Sequence, residues 1–371
     1  MGWRESILEK LGPGFAGGIT FGDWMRLLWE NGFRVHPRCW LKAASATLCS
    51  LGNTPLRWLE HGLYAGRLAA RPINPPLFVL GHFRNGTTHL HNLLAVDRRF
   101  AYPRASQIVM PHTFLLTERV VSAVGSFLLP PTRFGVDNMA LRPDSPSEEE
   151  SALGLMTRCS PYLGWMFPRR AEHYLRYLTF RDVPDRQVEQ WKAAYVALIR
   201  KLSWKDERPL VLKSPPNTCR IRLLLDTFPD AKFVHVHRDP YVVYQSTMHL
   251  MVCALRIHGF QRPSLANLHR QVIQQYQAVY EVFFEERDLI PEARYCEVRF
   301  ADLEADPLGQ MRRVYQQLGL PEFSVVEPQL EHYVRSLAGY KKNRFPPLPT
   351  EARSEIALAW QRCFEEWRYS T

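Results

Sequence analysis

PPLFVLGHFRNGTTHLHNLL, residues 75–94, is the stretch on which the reading of this chain turns. Two prolines stop a helix from entering it, and Leu77, Phe78, Val79 and Leu80 then make an apolar run of strand length. Gly81 and Gly86 bracket a polar turn, Thr87 and Thr88 follow, and Leu90, Leu93 and Leu94 recur at helical spacing. A strand, a glycine turn and a helix start together build an anion-binding concavity. The turn aims backbone N–H groups inward, and the helix N-terminus adds its partial positive charge.

The spacing Gly81-(four residues)-Gly86-Thr87-Thr88 is close to that of a Walker A loop, with one departure. A nucleotide-hydrolysing loop carries Lys directly after its second Gly, where it reaches the β- and γ-phosphates. Thr87 holds that place here, and the loop's one cation is Arg84, inside the turn. Such a loop suits an anion and suits Mg-nucleotide hydrolysis poorly. Glycine-bracketed turns also occur as plain architecture, so the reading needs support elsewhere in the chain.

A second strand–loop unit supplies it. In PLVLKSPPNTCRIRLLLDTFPDAKFVHVHRDP, residues 209–240, Leu210 to Leu212 form a buried strand that ends at Lys213. Ile221, Leu224, Leu225 and Phe228 mark a helix, and Lys232 to Val236 the next strand. Strands alternating with helices imply a parallel sheet, with ligands at the carboxyl ends of its strands. Arg84, Lys213 and Arg238 all stand at such ends. Three cations on one sheet edge would repel one another without an anion, so a polyanionic ligand is expected.

Composition agrees. The 371 residues carry a net charge of +10, which calls for an anionic partner: nucleotide, acidic lipid surface or nucleic acid. Hydrophobic residues at 46% are enough for a real core. The seven cysteines form no CxxC pair and no ligand-like spacing with His, which reads as reduced thiols in a cytoplasmic chain. Charged residues interrupt the N-terminus before any signal peptide could form, and no stretch nears the roughly 18 to 20 apolar residues of a membrane span.

Residues 1–71 read as a helical N-terminal extension and 72–371 as the main domain. The extension holds Trp3, Trp24, Trp29, Trp40 and Trp58, in short amphipathic helices broken at Gly and Pro. Two uses fit such helices: packing on the neighbouring domain, or contact with a membrane surface or an apolar substrate entrance. Residues 100–114 read as irregular lining, and 130–147 as a long surface loop leading to Glu148, Glu149 and Glu150 at the start of a helix. Acids in a first turn serve the helix dipole, yet one facing inward would serve as a general base. Residues 351–367 read as one closing amphipathic helix.

The order of these segments resembles the sulfotransferase superfamily, whose members use 3′-phosphoadenosine 5′-phosphosulfate (PAPS). The first loop is similar to that superfamily's 5′-phosphosulfate loop, in the version with Arg as its cation. The resemblance therefore implies that Arg84, Asn85, Gly86, Thr87 and Thr88 hold the 5′ side. KFVHVHRDPYVVYQS is similar to the 3′-phosphate site, an Arg followed eight residues later by Ser, here Arg238 and Ser246. VLKSPPNT is similar to the loop whose Lys contacts the sulfuryl group, here Lys213. VRFADLEADPLGQMRRVYQQLGLP is similar to the stretch that places a ring near the adenine, here Phe300. The helical N-terminus, SPSEEE and SPYLGWMFP resemble a bacterial branch acting on lipid or other small-molecule alcohols.

The resemblance implies an α/β fold: a P-loop-like three-layer domain, its central parallel sheet flanked by helices. It implies sulfuryl transfer without a metal, with Arg84 and Lys213 stabilising the charge that grows on the leaving oxygen. A base must take the acceptor's proton, and Glu149 and Glu150 come first, then His89, His91 and His112. Late in the chain GYKKNRFPPLP carries Lys341, Lys342 and Arg344, similar to a basic loop that closes over the 3′-phosphate. Two rival readings make different predictions. A P-loop kinase would bind ATP with Mg2+; a basic nucleic-acid or membrane-binding module would survive loss of Arg84. Tyr162, Trp165, Phe167 and Phe114 point to an apolar alcohol or phenol as the acceptor.

Overall fold

In the computed structural model, which describes residues 3–371 apart from Phe134 and the side chain of Trp3, four short strands carry the architecture. They are β1 (Leu77–Leu80), β2 (Val211–Lys213), β3 (Lys232–His237) and β4 (Tyr295–Arg299). Their order is β2-β1-β3-β4, and every neighbouring pair is parallel, with Phe78 in register with Leu212 on one side and Phe233 on the other. Helices cover both faces, which is why β1 is apolar at every position and fully buried.

On one face Leu90, Leu93 and Leu94, from the helix Thr87–Ala95, meet Val79, Val211 and Val234 of the sheet, with Met311 and Val314 alongside. Each of those leucines is 0% exposed, worth about 1.5–3 kcal/mol of burial apiece. On the other face Phe78 stacks on Phe233 at 5.4 Å, and Phe283 of the helix Leu268–Glu286 stacks on His235 at 4.3 Å. The fold is therefore the α/β three-layer arrangement around a parallel sheet that the sequence implies.

The chain forms two compact units. The sheet unit comprises Asn74–Tyr102, Arg208–His249 and Ala266–Thr371. The other gathers the chain up to Ile73 with Pro103–Glu207 and Leu250–Leu265, and its named elements are all helical.

Three local expectations need correction. Phe21–Glu30 is a short helix as expected, but Trp40–Ala69 runs unbroken for 30 residues through Gly52, Pro55 and Gly62. Bonds from the two residues before Pro55 hold it. Asn53 Nδ2 donates to Gly17 O (2.7 Å) and Ile19 O (3.1 Å), while Thr54 Oγ1 donates to Ser50 O and accepts from Phe21 N–H, both at 2.9 Å. Those contacts offset the hydrogen bond that proline removes. The stretch 100–114 contains a helix, Ala105–Val109, started by reciprocal Arg104–Gln107 bonds and buried along Ser106, Gln107 and Ile108. The closing helix divides into Thr350–Ala359 and Gln361–Glu366. Between them Trp360 stacks on Tyr276 at 3.8 Å and donates Nε1–H to Ile273 O at 3.1 Å. All seven cysteines are free thiols, and among the described residues no helix is long and apolar enough to cross a membrane.

Candidate functional site

Because every strand pair is parallel, all four strands end on one side of the sheet, and each delivers a side chain there. The turn after β1 is folded by its glycines: Gly81 has φ 141° and Gly86, at the N-terminus of the helix Thr87–Ala95, has φ 99°. Gly81 N–H donates to Thr218 Oγ1 at 2.8 Å. Asn85 Nδ2 donates to Val236 O at 3.1 Å and to Tyr280 Oη at 2.6 Å, which ties the turn to β3 and to the helix Leu268–Glu286. His82 is buried with Nδ1 3.0 Å from Phe83 O, and burial pulls it down to about 3, so it stays neutral.

Within that frame Arg84 takes a left-handed φ of 70°, a conformation that costs a residue with a Cβ about 1–2 kcal/mol. Its Nε donates to Ser246 Oγ at 2.8 Å. Arg238, directly after β3, brings Nη1 to 3.4 Å from Arg84 O and holds its guanidinium carbon 4.4 Å from the centre of the Phe300 ring. Phe300 follows β4 and lies over Gly86, so closely that a Cβ on Gly86 would fall 2.0 Å from its Cδ2. Lys213 closes β2, is 2% exposed, and donates from Nζ to Thr88 Oγ1 at 3.4 Å.

The structure thus brings Arg84, Gly86, Thr88, Lys213, Arg238, Ser246 and Phe300 together in one cluster within the sheet unit. Burial pulls Arg238 below the ordinary guanidinium value; Glu304 opposes that, and Arg84 adds to it. Lys342 Nζ sits 2.5 Å from Glu304 Oε1, and both charges bear on His89, which burial lowers. The basic loop therefore reaches the cluster through Glu304, while Lys341 is exposed in the same loop. That loop is tied down by Gln245 Nε2, which donates to Pro346 O. Asn85 and Thr87 turn their side chains into the fold, where the Thr87 methyl would lie 2.8 Å from a Cβ on Gly81. They shape the turn.

Glu149 and Glu150 belong to the other unit, at the start of the helix Glu149–Thr157. First-turn acids serving only the helix dipole sit in solvent, but both are 0% exposed. Tyr195 Oη donates to Glu149 Oε1 at 2.8 Å, and Tyr162 donates to the neighbouring Glu148. Carboxylates held this deep need such partners and are costly to keep. His112 lies in the same unit, taken by burial to about 4. His91, in the sheet unit, is taken by burial and then by the Lys213 charge to about 3. The group from Tyr162 to Phe114 falls in the helical unit, with Phe114, Tyr162 and Phe167 buried. Among the described residues no cluster of His, Cys, Asp and Glu is arranged to hold a metal ion.

Three residues that matter to the cluster escape sequence reading. Thr218 has a weak signal, a hydroxyl in the loop after a strand end. Glu304 has another, an acid one helical turn past Phe300. Tyr280 has none, because its partner Asn85 is 195 residues away.

Known proteins are similar to this chain in sequence and in fold. The model of the sulfotransferase family matches residues 75–324. The omega-hydroxy-beta-dihydromenaquinone-9 sulfotransferases Stf3 of Mycobacterium tuberculosis and Mycobacterium bovis are each 38% identical to this chain over 353 residues, covering 95% of it and 90% of their own length. Among solved structures, sulfotransferase STF9 from Mycobacterium avium superposes with a TM-score of 0.69 at 16% identity, covering 94% of this chain and 96% of its own. Sulfotransferase STF1 from Mycobacterium tuberculosis gives 0.59 at 19% identity, covering 97% and 96%. At those identities the two structures speak for the fold alone. The family match takes in the glycine turn, Lys213, Arg238, Ser246 and Phe300, and the likeness to the curated relatives runs nearly end to end: this chain belongs to the sulfotransferase family.

Proposed function

We propose that this sulfotransferase moves the sulfuryl group of PAPS to a hydroxyl of a lipid-like or other small-molecule acceptor, releasing adenosine 3′,5′-bisphosphate. The observation that carries the reading is the meeting of the two anion cradles. Arg84 of the first loop donates to Ser246 at 2.8 Å, and Arg238 reaches the Arg84 carbonyl at 3.4 Å. Cradles that adjoin in this way suit one ligand with two separated anionic groups and suit two unrelated ligands poorly.

The residues fit PAPS by their chemistry. Arg238 offers a planar fork and Ser246 a hydroxyl for a 3′-phosphate. The N–H groups at the helix start from Thr87, with Arg84 and Lys213, suit the 5′ side. Phe300 offers an apolar ring to a base, and Lys341 and Lys342 offer a basic loop. The co-substrate, when bound, supplies an activated sulfuryl group. Arg84 and Lys213 supply fixed positive charge toward the oxygen that becomes negative as that group leaves, an effect of several kcal/mol in a dry site. Glu149 and Glu150 are the proposed bases for the acceptor's proton. The acceptor class is drawn from the curated relatives, whose name specifies a hydroxylated menaquinone derivative. A nucleotide phosphotransferase is disfavoured, because Thr87 fills the Walker Lys position and its methyl packs beneath Gly81.

The test is calorimetric titration with adenosine 3′,5′-bisphosphate in EDTA. Wild type should bind, and Arg238→Ala should bind at least about tenfold more weakly, since hydrogen bonds to charged groups are worth about 1.5–3 kcal/mol. Binding that requires Mg2+, or no heat at all, would remove the proposal. In a transfer assay, Glu149→Gln or Glu150→Gln should lose roughly a hundredfold or more in kcat with nucleotide affinity unchanged.

A further inference from the structure

The helix Trp40–Ala69 is amphipathic in the sense opposite to that of a helix in water. Its inward face is polar apart from Ala46: Lys42, Ser50, Asn53 and Glu60 are all buried. Each has partners. Lys42 donates to Ile257 O, Asn53 to Gly17 O and Ile19 O, and Glu60 accepts from Leu115 N–H at 2.8 Å and pairs with Lys201. The outward face is apolar. Trp40, Leu41, Leu48, Leu51, Trp58, Leu59 and Leu63 are 49–71% exposed. At about 100° per residue they share an arc of roughly 140° that runs about 35 Å along the helix and contains no charged residue. The helix Phe114–Leu128 of the same unit exposes a second row, Val120, Val124 and Phe127, at i, i+4 and i+7.

Charge is distributed to match. Between Gly12 and Ile73 the exposed ionised residues are Arg26, Arg34, Arg38, Arg57 and Arg67. None of the three acids in that span is exposed: Asp23 and Glu30 face Arg158, and Glu60 pairs with Lys201. An uncharged row of leucines with tryptophans along one edge, in a segment whose exposed charges are all arginine, is the composition of a helix lying in a bilayer interface. We propose that this face docks on the surface of an anionic lipid bilayer, with the helix in the membrane plane. A second copy of the chain fits less well, because a two-fold interface would set these arginines against each other with no exposed acid from the segment to receive them. Spanning is ruled out by Lys42 and Glu60 within the helix. The inference stands whether or not PAPS is the donor; if the acceptor is a lipid, the docking brings the enzyme to it.

Co-sedimentation of the full chain with vesicles tests this. Vesicles of phosphatidylcholine mixed with phosphatidylglycerol should retain the protein at least about tenfold better than phosphatidylcholine alone, and salt should weaken the difference. Leu48→Gln/Trp58→Gln alters two exposed side chains, so its denaturation midpoint and its adenosine 3′,5′-bisphosphate titration should match wild type while vesicle partitioning drops at least about tenfold. Arg38→Gln/Arg67→Gln should lose the preference for the anionic lipid. No retention on either vesicle would overturn the proposal, as would unchanged partitioning of the Leu48/Trp58 variant. A dimer by light scattering that this variant dissolves would assign the face to a second copy instead.

Discussion

Replacing Gly86 by Ala tests the geometry of the site with a single methyl. The new Cβ would lie 2.0 Å from Cδ2 and 2.2 Å from Cε2 of Phe300, far inside contact distance, so the ring must move. Phe300 has little room: it is 7% exposed, with the Arg238 guanidinium 4.4 Å from its centre and the His89 ring edge-on at 6.3 Å. Overpacking of this kind costs about 1–3 kcal/mol. The φ of 99° is itself foreign to alanine and adds about 1–2 kcal/mol. Urea denaturation should therefore show Gly86→Ala less stable by about 2–5 kcal/mol. Calorimetry should show adenosine 3′,5′-bisphosphate binding weakened at least about tenfold, because moving Phe300 unseats Arg238. Gly62→Ala is the control. It lies in the helix Trp40–Ala69 with no atom within 4 Å of its would-be Cβ, and should gain up to about 1 kcal/mol from helix propensity. If Gly86→Ala unfolds and binds like wild type, Phe300 does not rest on the loop as described. Equal damage from both changes would refute the local clash as the cause.

Two further outcomes follow from the loop's supports. Asn85→Leu keeps the side-chain volume but takes the Asn85 donor from Val236 O and leaves Tyr280 Oη with the longer 3.3 Å bond from His82 N–H, and should cost about 1–3 kcal/mol in urea denaturation; a loss under about 0.5 kcal/mol would show that the tie to β3 is dispensable. His82 and His91 are fully buried and taken to about 3, so below about pH 6.5 the unfolded chain binds protons that the folded chain refuses. Stability should fall by roughly 1.3 kcal/mol per histidine between pH 7 and pH 5.5, with His237 and His258 acting in the same direction, and a flat pH profile would contradict the burial.

What the sequence could reveal followed from how each element is buried. β1 and its loop were legible because a central parallel strand is covered on both faces and so reads as an uninterrupted apolar run, and because the turn needs glycine at φ 141° and 99°. β3 reads for the same reason, and β2, although it ends the sheet, is buried at every position and reads likewise, which put Lys213 and Arg238 at strand ends. β4 did not read as a strand: YCEVR alternates charged and apolar residues at an edge, with Glu297 half-buried and bonded to His235 at 2.9 Å. The helix Trp40–Ala69 was illegible beyond its first turns, since its passage through Pro55 depends on Asn53 and Thr54 reaching residues 17–21. Glu149 shows the same limit. An acid in a first turn is equally natural facing water or facing in, and its full burial, with Tyr195 Oη donating at 2.8 Å, is a tertiary fact that no local pattern carries. The Arg84–Ser246 contact spans 162 residues, so pattern alone could place Arg84 at a strand end and Ser246 about two turns along a later helix, but not one against the other.

The energetics of the cations provide the sharpest separation of a binding role from a structural one. Arg84 and Arg238 are half-buried side by side, and the nearby carboxylate of Glu304 is paired with Lys342. Removing the Arg84 charge in Arg84→Gln relieves repulsion on Arg238 on the order of 1 kcal/mol, a figure already reduced for solvent screening. The same change loses the Ser246 bond, worth about 1 kcal/mol net. The two effects nearly cancel, so without nucleotide the variant should unfold within about 1 kcal/mol of wild type. With nucleotide they should part. At a ligand concentration of about 100 Kd, wild type gains about 2.7 kcal/mol. A variant binding about a hundredfold more weakly sits near its own Kd there and gains only about 0.4 kcal/mol. A strut would behave in the opposite way. If Arg84→Gln loses more than about 2 kcal/mol on its own and still gains about 2.7 kcal/mol from adenosine 3′,5′-bisphosphate, then Arg84 braces the loop and the anion is held by other groups.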